Sequence, residues 1–249
     1  MFWIYTIGVM GLMVTMIIHA VRNGKTFPWL YVIIFLPLVG SIAYFIAEVL
    51  PEMMRSPDAQ KLKTASLDKA DPERHLRGLR QQADLSNSTH DKQALAEEYL
   101  RLGRADEGLA VYRDIMGGPF ADDPRLQLGF ARALVEAGAF AECQATLDNF
   151  QKENPSYKSP IGHLTYARAL AGQGKADEAI TEFEDVVKYY SGPEARTHYA
   201  LFLEQIGRRD DARAHFTQIV KVMETSPAHV RKLHKEWFQT AKTALQRLG

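Results

Sequence analysis

Four glycine-centred stretches decide the fold: Leu102-Gly103-Arg104-Ala105-Asp106-Glu107-Gly108, Ala137-Gly138-Ala139-Phe140-Ala141-Glu142-Cys143, Gln173-Gly174-Lys175-Ala176-Asp177-Glu178-Ala179 and Ile206-Gly207-Arg208-Arg209-Asp210-Asp211-Ala212. Their glycines are 35, 36 and 33 residues apart. A fixed period in this range marks a stack of like units, each unable to bury its apolar face alone. Glycine accepts the left-handed conformation that ends a helix, so each stretch reads as the turn of a helical hairpin.

The residues around each turn keep the same register. Ahead of it come small and aromatic packers: Leu95, Ala96 and Tyr99; Phe130, Ala131 and Leu134; Tyr166, Ala167 and Leu170; Tyr199, Ala200 and Leu203. Five residues after the glycine stands a small residue (Gly108, Cys143, Ala179, Ala212), and nine after it a large one (Tyr112, Leu147, Phe183, Phe216). Pro124, Pro155 and Pro193 precede the next helix pair, where proline blocks helix continuation. Over residues 89–226 this pattern resembles the tetratricopeptide-repeat family. The resemblance implies an all-α solenoid of four helix pairs whose first helices line a protein-binding groove. Repeat 1 departs from the pattern with a longer loop around Gly117-Gly118-Pro119. A final helix is expected from about Ala228 to Leu248, because the last repeat of a solenoid needs its apolar face capped. Trp237 and Phe238 read as packing within that cap.

Working outward, residues 51–88 are polar and read as a linker containing a short helix. Asp71-Pro72-Glu73 is a start signal, and Leu76, Leu79 and Ala83 follow at helical spacing. Residues 1–50 are different. Phe2 to Val21 and Phe27 to Ala47 carry no formal charge, each run has roughly the 20 residues that cross about 30 Å of hydrocarbon as a helix, and Arg22 and Lys25 lie in the short turn between them. They read as a two-pass transmembrane hairpin, with Pro37 and Gly40 kinking the second span. Trp3, Tyr5, Trp29, Tyr31 and Tyr44 lie near the span ends, where aromatic rings favour the interface. No Lys or Arg precedes Arg22, so a cleaved signal peptide is disfavoured. A hairpin puts both termini on one side. Arg55, Lys61, Lys63 and Lys69 after the second span tilt the repeats toward the cytoplasmic face of a bacterial inner membrane.

The run from Pro28 to Tyr44, with its Trp29-Leu30 opening, its Leu36-Pro37-x-Val39-Gly40 centre and the following Tyr44, resembles the N-terminal membrane segment of bacterial cardiolipin synthases of the phospholipase D superfamily. That resemblance covers about the first fifty residues. It implies, as an alternative reading, an accessory protein or enzyme of lipid metabolism. Catalysis in that family needs two His-x-Lys-x4-Asp motifs, whereas His90-Asp91-Lys92 with Glu97 occurs once and carries the wrong acid. It reads as solvated helix surface.

Other chemistry is not indicated. Setting aside Arg22, Lys25 and Glu48 leaves 28 basic and 29 acidic residues, without the basic excess that nucleic-acid binding requires. The eight histidines show no metal-ligand spacing, and no phosphate-cradling glycine loop is present, so neither metal nor cofactor is expected. The single cysteine, Cys143, sits at a packing position and reads as inert.

Threading the register places Gln93, Glu97, Leu100 and Arg101 in the groove from repeat 1, and Arg125, Leu128, Arg132 and Val135 from repeat 2. Ile161, Leu164, Arg168 and Ala171 come from repeat 3, and Thr197, His198, Leu201 and Glu204 from repeat 4. Arg132 and Arg168 are equivalent, and arginine forks suit carboxylates, so an acidic or C-terminal peptide is one expected ligand. Solvated helix charge is the other reading. The sequence therefore predicts a non-catalytic, membrane-anchored adaptor, scaffold or assembly factor whose partners are a protein and membrane lipid.

Overall fold

The computed structural model describes residues 2–25, 27–56, 60 and 71–249, and these fall into two compact units, Met1–His75 and Leu76–Gly249. Much of the expected linker, residues 57–59 and 61–70, lies outside the described residues. All regular structure among the described residues is helical.

In the first unit, α1 (Phe2–Arg22) is followed by α2 (Trp29–Phe35) and α3 (Pro37–Tyr44). A π-helical turn (Phe45–Val49) then leads into α4 (Leu50–Arg55). The second apolar run is not one kinked span: it reverses at Leu36. In a straight helix Trp29 and Glu48 would stand about 28 Å apart, yet the Trp29 indole donates to Glu48 at 3.1 Å. The Trp29 and Tyr44 rings also meet, with centroids 5.4 Å apart. Gly40 makes the reversal possible, since a Cβ there would lie 2.2 Å from the Val32 carbonyl oxygen. Pro37 opens the returning helix, and Ser41, fully buried, donates back to the Pro37 carbonyl at 2.5 Å. The residues that carry the cardiolipin-synthase resemblance are thus the ones that fold α2 against α3. Tyr44 is buried and Trp29 half-buried, so these two rings pack inward and do not face an interface.

The exterior of this unit is apolar. Trp3, Ile7, Met10, Val14, Ile18 and Val21 form one exposed stripe along α1, and Tyr31, Ile34, Phe35, Val39, Ile42 and Ile46 are exposed on the folded-back pair. Its polar groups meet one another instead. His19 contacts the Tyr44 hydroxyl at 3.0 Å, and Lys25 pairs with Glu48 at 2.6 Å.

The second unit is a stack of helix pairs. A leading helix, α5 (Arg74–Ser86), buries Leu76 and Ala83 against Leu95 and Tyr99, so the short helix expected inside the linker is packed onto the first repeat. Four pairs follow: α6 (Thr89–Arg101) with α7 (Ala105–Met116), α8 (Pro124–Glu136) with α9 (Phe140–Glu153), α10 (Pro160–Gly172) with α11 (Ala176–Tyr189), and α12 (Glu194–Gln205) with α13 (Arg209–Thr225). Helix starts are capped by Ser88, Asp123 and Ser159, whose side chains accept from Asp91, Arg125 and Gly162 amides. Each pair turns over three residues with the central glycine at φ between 73° and 85°. Around Gly103, the Arg104 amide reaches the Tyr99 carbonyl and the Gly103 amide the Leu100 carbonyl, a Schellman turn that recurs at Gly138, Gly174 and Gly207.

The repeated small residues sit where helices meet. Cys143, Ala179 and Ala212 have no exposure, and a Cβ on Gly108 would strike the Leu100 side chain at 2.9 Å. Phe183 of one pair stacks on Tyr199 and Phe202 of the next, at centroid distances of 5.3 and 5.7 Å. The cap departs from expectation. It is two helices, α14 (Ala228–Leu233) and α15 (Lys235–Leu248), broken at His234, whose ring stands against the left-handed Gly192. Leu233 is therefore exposed, while Ala241, Ala244 and Leu248 complete the core.

Candidate functional site

The first helices of the pairs position the expected groove residues, but most of these residues are already occupied. Glu97 accepts from the Tyr112 hydroxyl at 2.5 Å through one oxygen and holds Arg132 of the next repeat through the other. Arg168 donates to Glu136 at 2.8 Å, again one repeat back. At the far end Arg247 of the cap forks onto Glu204 at 2.7 and 2.6 Å. The expectation that Arg132 and Arg168 offer open guanidinium forks to an acidic ligand is therefore corrected: each is neutralised by a glutamate of the preceding repeat. An incoming carboxylate would have to displace an existing one.

Other members are removed by burial. Leu164 and Val135 lie in the core at 3% and 5% exposure, and Thr197 is fully buried with its hydroxyl on the Pro193 carbonyl. His198 lies under the Trp237 indole (centroids 5.2 Å apart), so the cap covers the groove at repeat 4. Desolvation there, helped by the nearby Arg168 charge, brings the His198 imidazole down to about 3. What stays accessible is Gln93, Leu100, Leu128, Ala171 and Leu201, half-buried, together with the exposed Arg101, Arg125 and Ile161. Arg101 forks onto Glu98, leaving Arg125 and Ile161 as the most open pair on this face.

The His90-Asp91-Lys92 stretch is spent on structure. Asp91 receives Ser86, Ser88 and Gln82, and the Ser86 and Ser88 hydroxyls hold its carboxyl below the usual range. Lys92 pairs with Asp114 at 2.6 Å. Cys143 is buried with its thiol on the Ala131 carbonyl, and burial pushes it up to about 12.

A second place was not foreseen in the sequence. Between α9 and α11, closed at one end by the loop that leads into α10, lies a cleft of about 960 Å³ lined by Phe150, Tyr157, His163, Tyr166 and Tyr189 with Asp148, Glu182 and Asp185. At 3.6 residues per turn, His163 and Tyr166 lie roughly 140–160° around α10 from Arg168, while Leu128, counted with the groove, also lines the cleft wall. His163 bridges Glu182, at 2.5 Å, and the Tyr189 hydroxyl. Asp148 stands ten residues after its turn glycine and Glu182 and Tyr189 eight and fifteen after theirs, so they come from opposing faces of two successive second helices.

No protein-family model and no curated protein matches this chain. Solved structures do. A thermophilic tetratricopeptide-repeat protein of Thermus thermophilus superposes with a TM-score of 0.55 at 17% identity, over 74% of this chain and 95% of that one. A tetratricopeptide-repeat protein of Parabacteroides merdae gives 0.55 at 13% identity, over 96% and 92%. PilW, described as a widely conserved type IV pilus biogenesis factor, gives 0.53 at 17% identity, over 76% and 87%. At such identities the likeness concerns architecture, and on it the chain has the tetratricopeptide-repeat fold.

Proposed function

We propose that this protein is a non-catalytic scaffold or assembly factor that binds a partner protein on its repeat array and is tethered to a membrane by its N-terminal unit. The observation that carries the binding reading is the continuous face of the first helices. It presents Arg125 and Ile161 to solvent, at 84% side-chain and 52% residue exposure, beside half-buried Leu128 and Leu201. A stack held together by its own cores can expose such a face without loss of order. The test is recovery of partners on the full chain in detergent, followed by mass spectrometry. One stoichiometric protein should be lost on Arg125→Glu with Ile161→Asp; equal recovery on wild type and variant would refute the groove.

The tether reading rests on the apolar exterior of the first unit, which suits lipid and not water. α1 has 21 residues and no charged side chain before Arg22, enough to cross hydrocarbon. By length and composition among the described residues Pro37–Arg55 is the one helix that qualifies, and Ile7–Arg22 counts as a shorter apolar helix. Its longest uncharged run is residues 37–47, however, and these rise about 16 Å before Glu48 returns to the level of Lys25. We therefore read one crossing helix with a half-depth helical pair beside it, in place of two spans. This puts Arg22, Lys25 and Arg55 at one end of the unit and the N-terminus at the other. The positive-inside rule then has no competing charges: the repeats lie on the cytoplasmic side and the N-terminus on the far side. Single cysteines at Trp3 and Ser56, in a Cys143→Ala chain, should label from opposite faces of intact cells or vesicles. Labelling from the same face would restore the two-span hairpin.

A further inference from the structure

We propose that the cleft between α9 and α11 is a second docking site, distinct from the groove, and that it takes an arginine side chain from an extended segment of a partner protein. Its volume, about 960 Å³, is far larger than one side chain needs and suits a short stretch of chain. Its walls are aromatic. The Phe150 and Tyr157 rings meet edge-on at 5.3 Å, and the His163 and Tyr189 rings face each other obliquely at 5.8 Å. A planar guanidinium stacks on such rings more readily than any other charged side chain.

The charge in the cleft points the same way. Asp185 is matched by Lys188 at 2.7 Å, so the two cancel. Glu182 meets His163 at 2.5 Å, and Asp148 lies beside the Tyr166 hydroxyl. The His163 ring nitrogens reach the Tyr189 hydroxyl on one side and the Glu182 carboxylate on the other. Lys158, exposed on the loop, also lines the cleft, so its wall carries three carboxylates against two lysines. Two carboxylates against aromatic walls complement one cation, and an arginine fork can meet a carboxylate while its plane lies on a ring. An acidic segment, by contrast, would meet uncompensated like charge.

The test is selection of a phage-displayed random dodecapeptide library on the full chain in detergent, in parallel with an Asp148→Asn, Glu182→Gln chain and with the groove variant Arg125→Glu, Ile161→Asp. Both cleft substitutions are isosteric, and circular dichroism checks that the variants fold. Arginine-bearing peptides should be enriched on wild type and on the groove variant, and should bind the cleft variant about tenfold more weakly. Three results would overturn the proposal: selected peptides without arginine, arginine peptides that bind the cleft variant equally well, or no enrichment on wild type. Peptides lost only on the groove variant would overturn the cleft while supporting the groove.

Discussion

The Tyr112–Glu97–Arg132 cluster gives the sharpest test of how neighbouring repeats are joined. Tyr112 is fully buried, and burial together with the Glu97 carboxylate holds its hydroxyl far above the usual phenol range. Its oxygen lies over Gly129, where a Cβ would come within 2.4 Å, so the absence of a side chain there makes room for the ring. Tyr112→Phe removes one charge-assisted hydrogen bond and leaves Glu97 on Arg132, at a cost of about 1.5 kcal/mol. Glu97→Ala does more, because the buried hydroxyl is stranded without an acceptor, and should cost about 2–3 kcal/mol. Arg132→Gln should cost under about 1 kcal/mol, since its side chain and that of Glu97 are 39% and 35% exposed and solvent screens the pair. In the Tyr112→Phe background no hydroxyl remains to strand, so Glu97→Ala should then cost about 1–2 kcal/mol less than in wild type. The assay is urea unfolding of the four chains of the cycle, followed by far-ultraviolet circular dichroism. Additivity within about 0.3 kcal/mol would refute the reasoning, because it would mean that Tyr112 and Glu97 do not share a bond.

Acid should weaken the array through His198. Below about pH 6.5 the unfolded chain takes a proton there that the folded chain refuses until about pH 3. Stability that is complete at neutral pH is therefore lost as pH falls, by about 2 kcal/mol at pH 5. His215, also lowered by burial, acts in the same direction; His198→Asn should flatten the pH dependence of urea midpoints, and an unchanged slope would contradict the assignment. Gly138→Ala should cost about 1–2 kcal/mol for backbone conformation alone, since φ is 77° and no neighbour lies within 4 Å. A thermal midpoint equal to wild type would exclude that origin. Cys143 should resist aromatic disulfide reagents in the folded chain at neutral pH and react once urea opens the stack; prompt labelling without urea would show that the pair α8–α9 opens locally.

The repeats were legible because their determinants are local and recur: a left-handed glycine, a small residue five positions later and a large one nine positions later. The reversal at Leu36 was not. Both α2 and α3 are apolar on every face, so no polarity contrast marks which side turns inward, and Pro37 and Gly40 suggest a kink as readily as a return. Contacts between residues distant in sequence, Trp29 with Glu48 and with Tyr44, separate the two. The break at His234 was hidden for a similar reason, since Ala228 to Leu248 keeps helical spacing throughout. For the groove, spacing located Arg132 and Arg168 correctly on the first helices but could not show what they touch. Their partners Glu97 and Glu136 stand 35 and 32 residues earlier. A search for opposite charges one repeat apart would have found both. Leu164 and Thr197 were misplaced because the angle between packed helices, which the repeat period does not fix, decides how far around each helix the core extends.

Three arginine–glutamate pairs, which join repeat 2 to repeat 1, repeat 3 to repeat 2 and the cap to repeat 4, bear on how the chain is made. Every such rung closes over only 32 to 43 residues, so no contact of this kind waits for a distant part of the sequence. Loop closure over such spans costs little and favours rapid formation. During synthesis the first pair can assemble as soon as the second has left the ribosome, with each later pair adding to a finished edge. Until the cap is made, the growing edge of the stack stays open, and the fourteen-residue α15 covers it on the fourth pair.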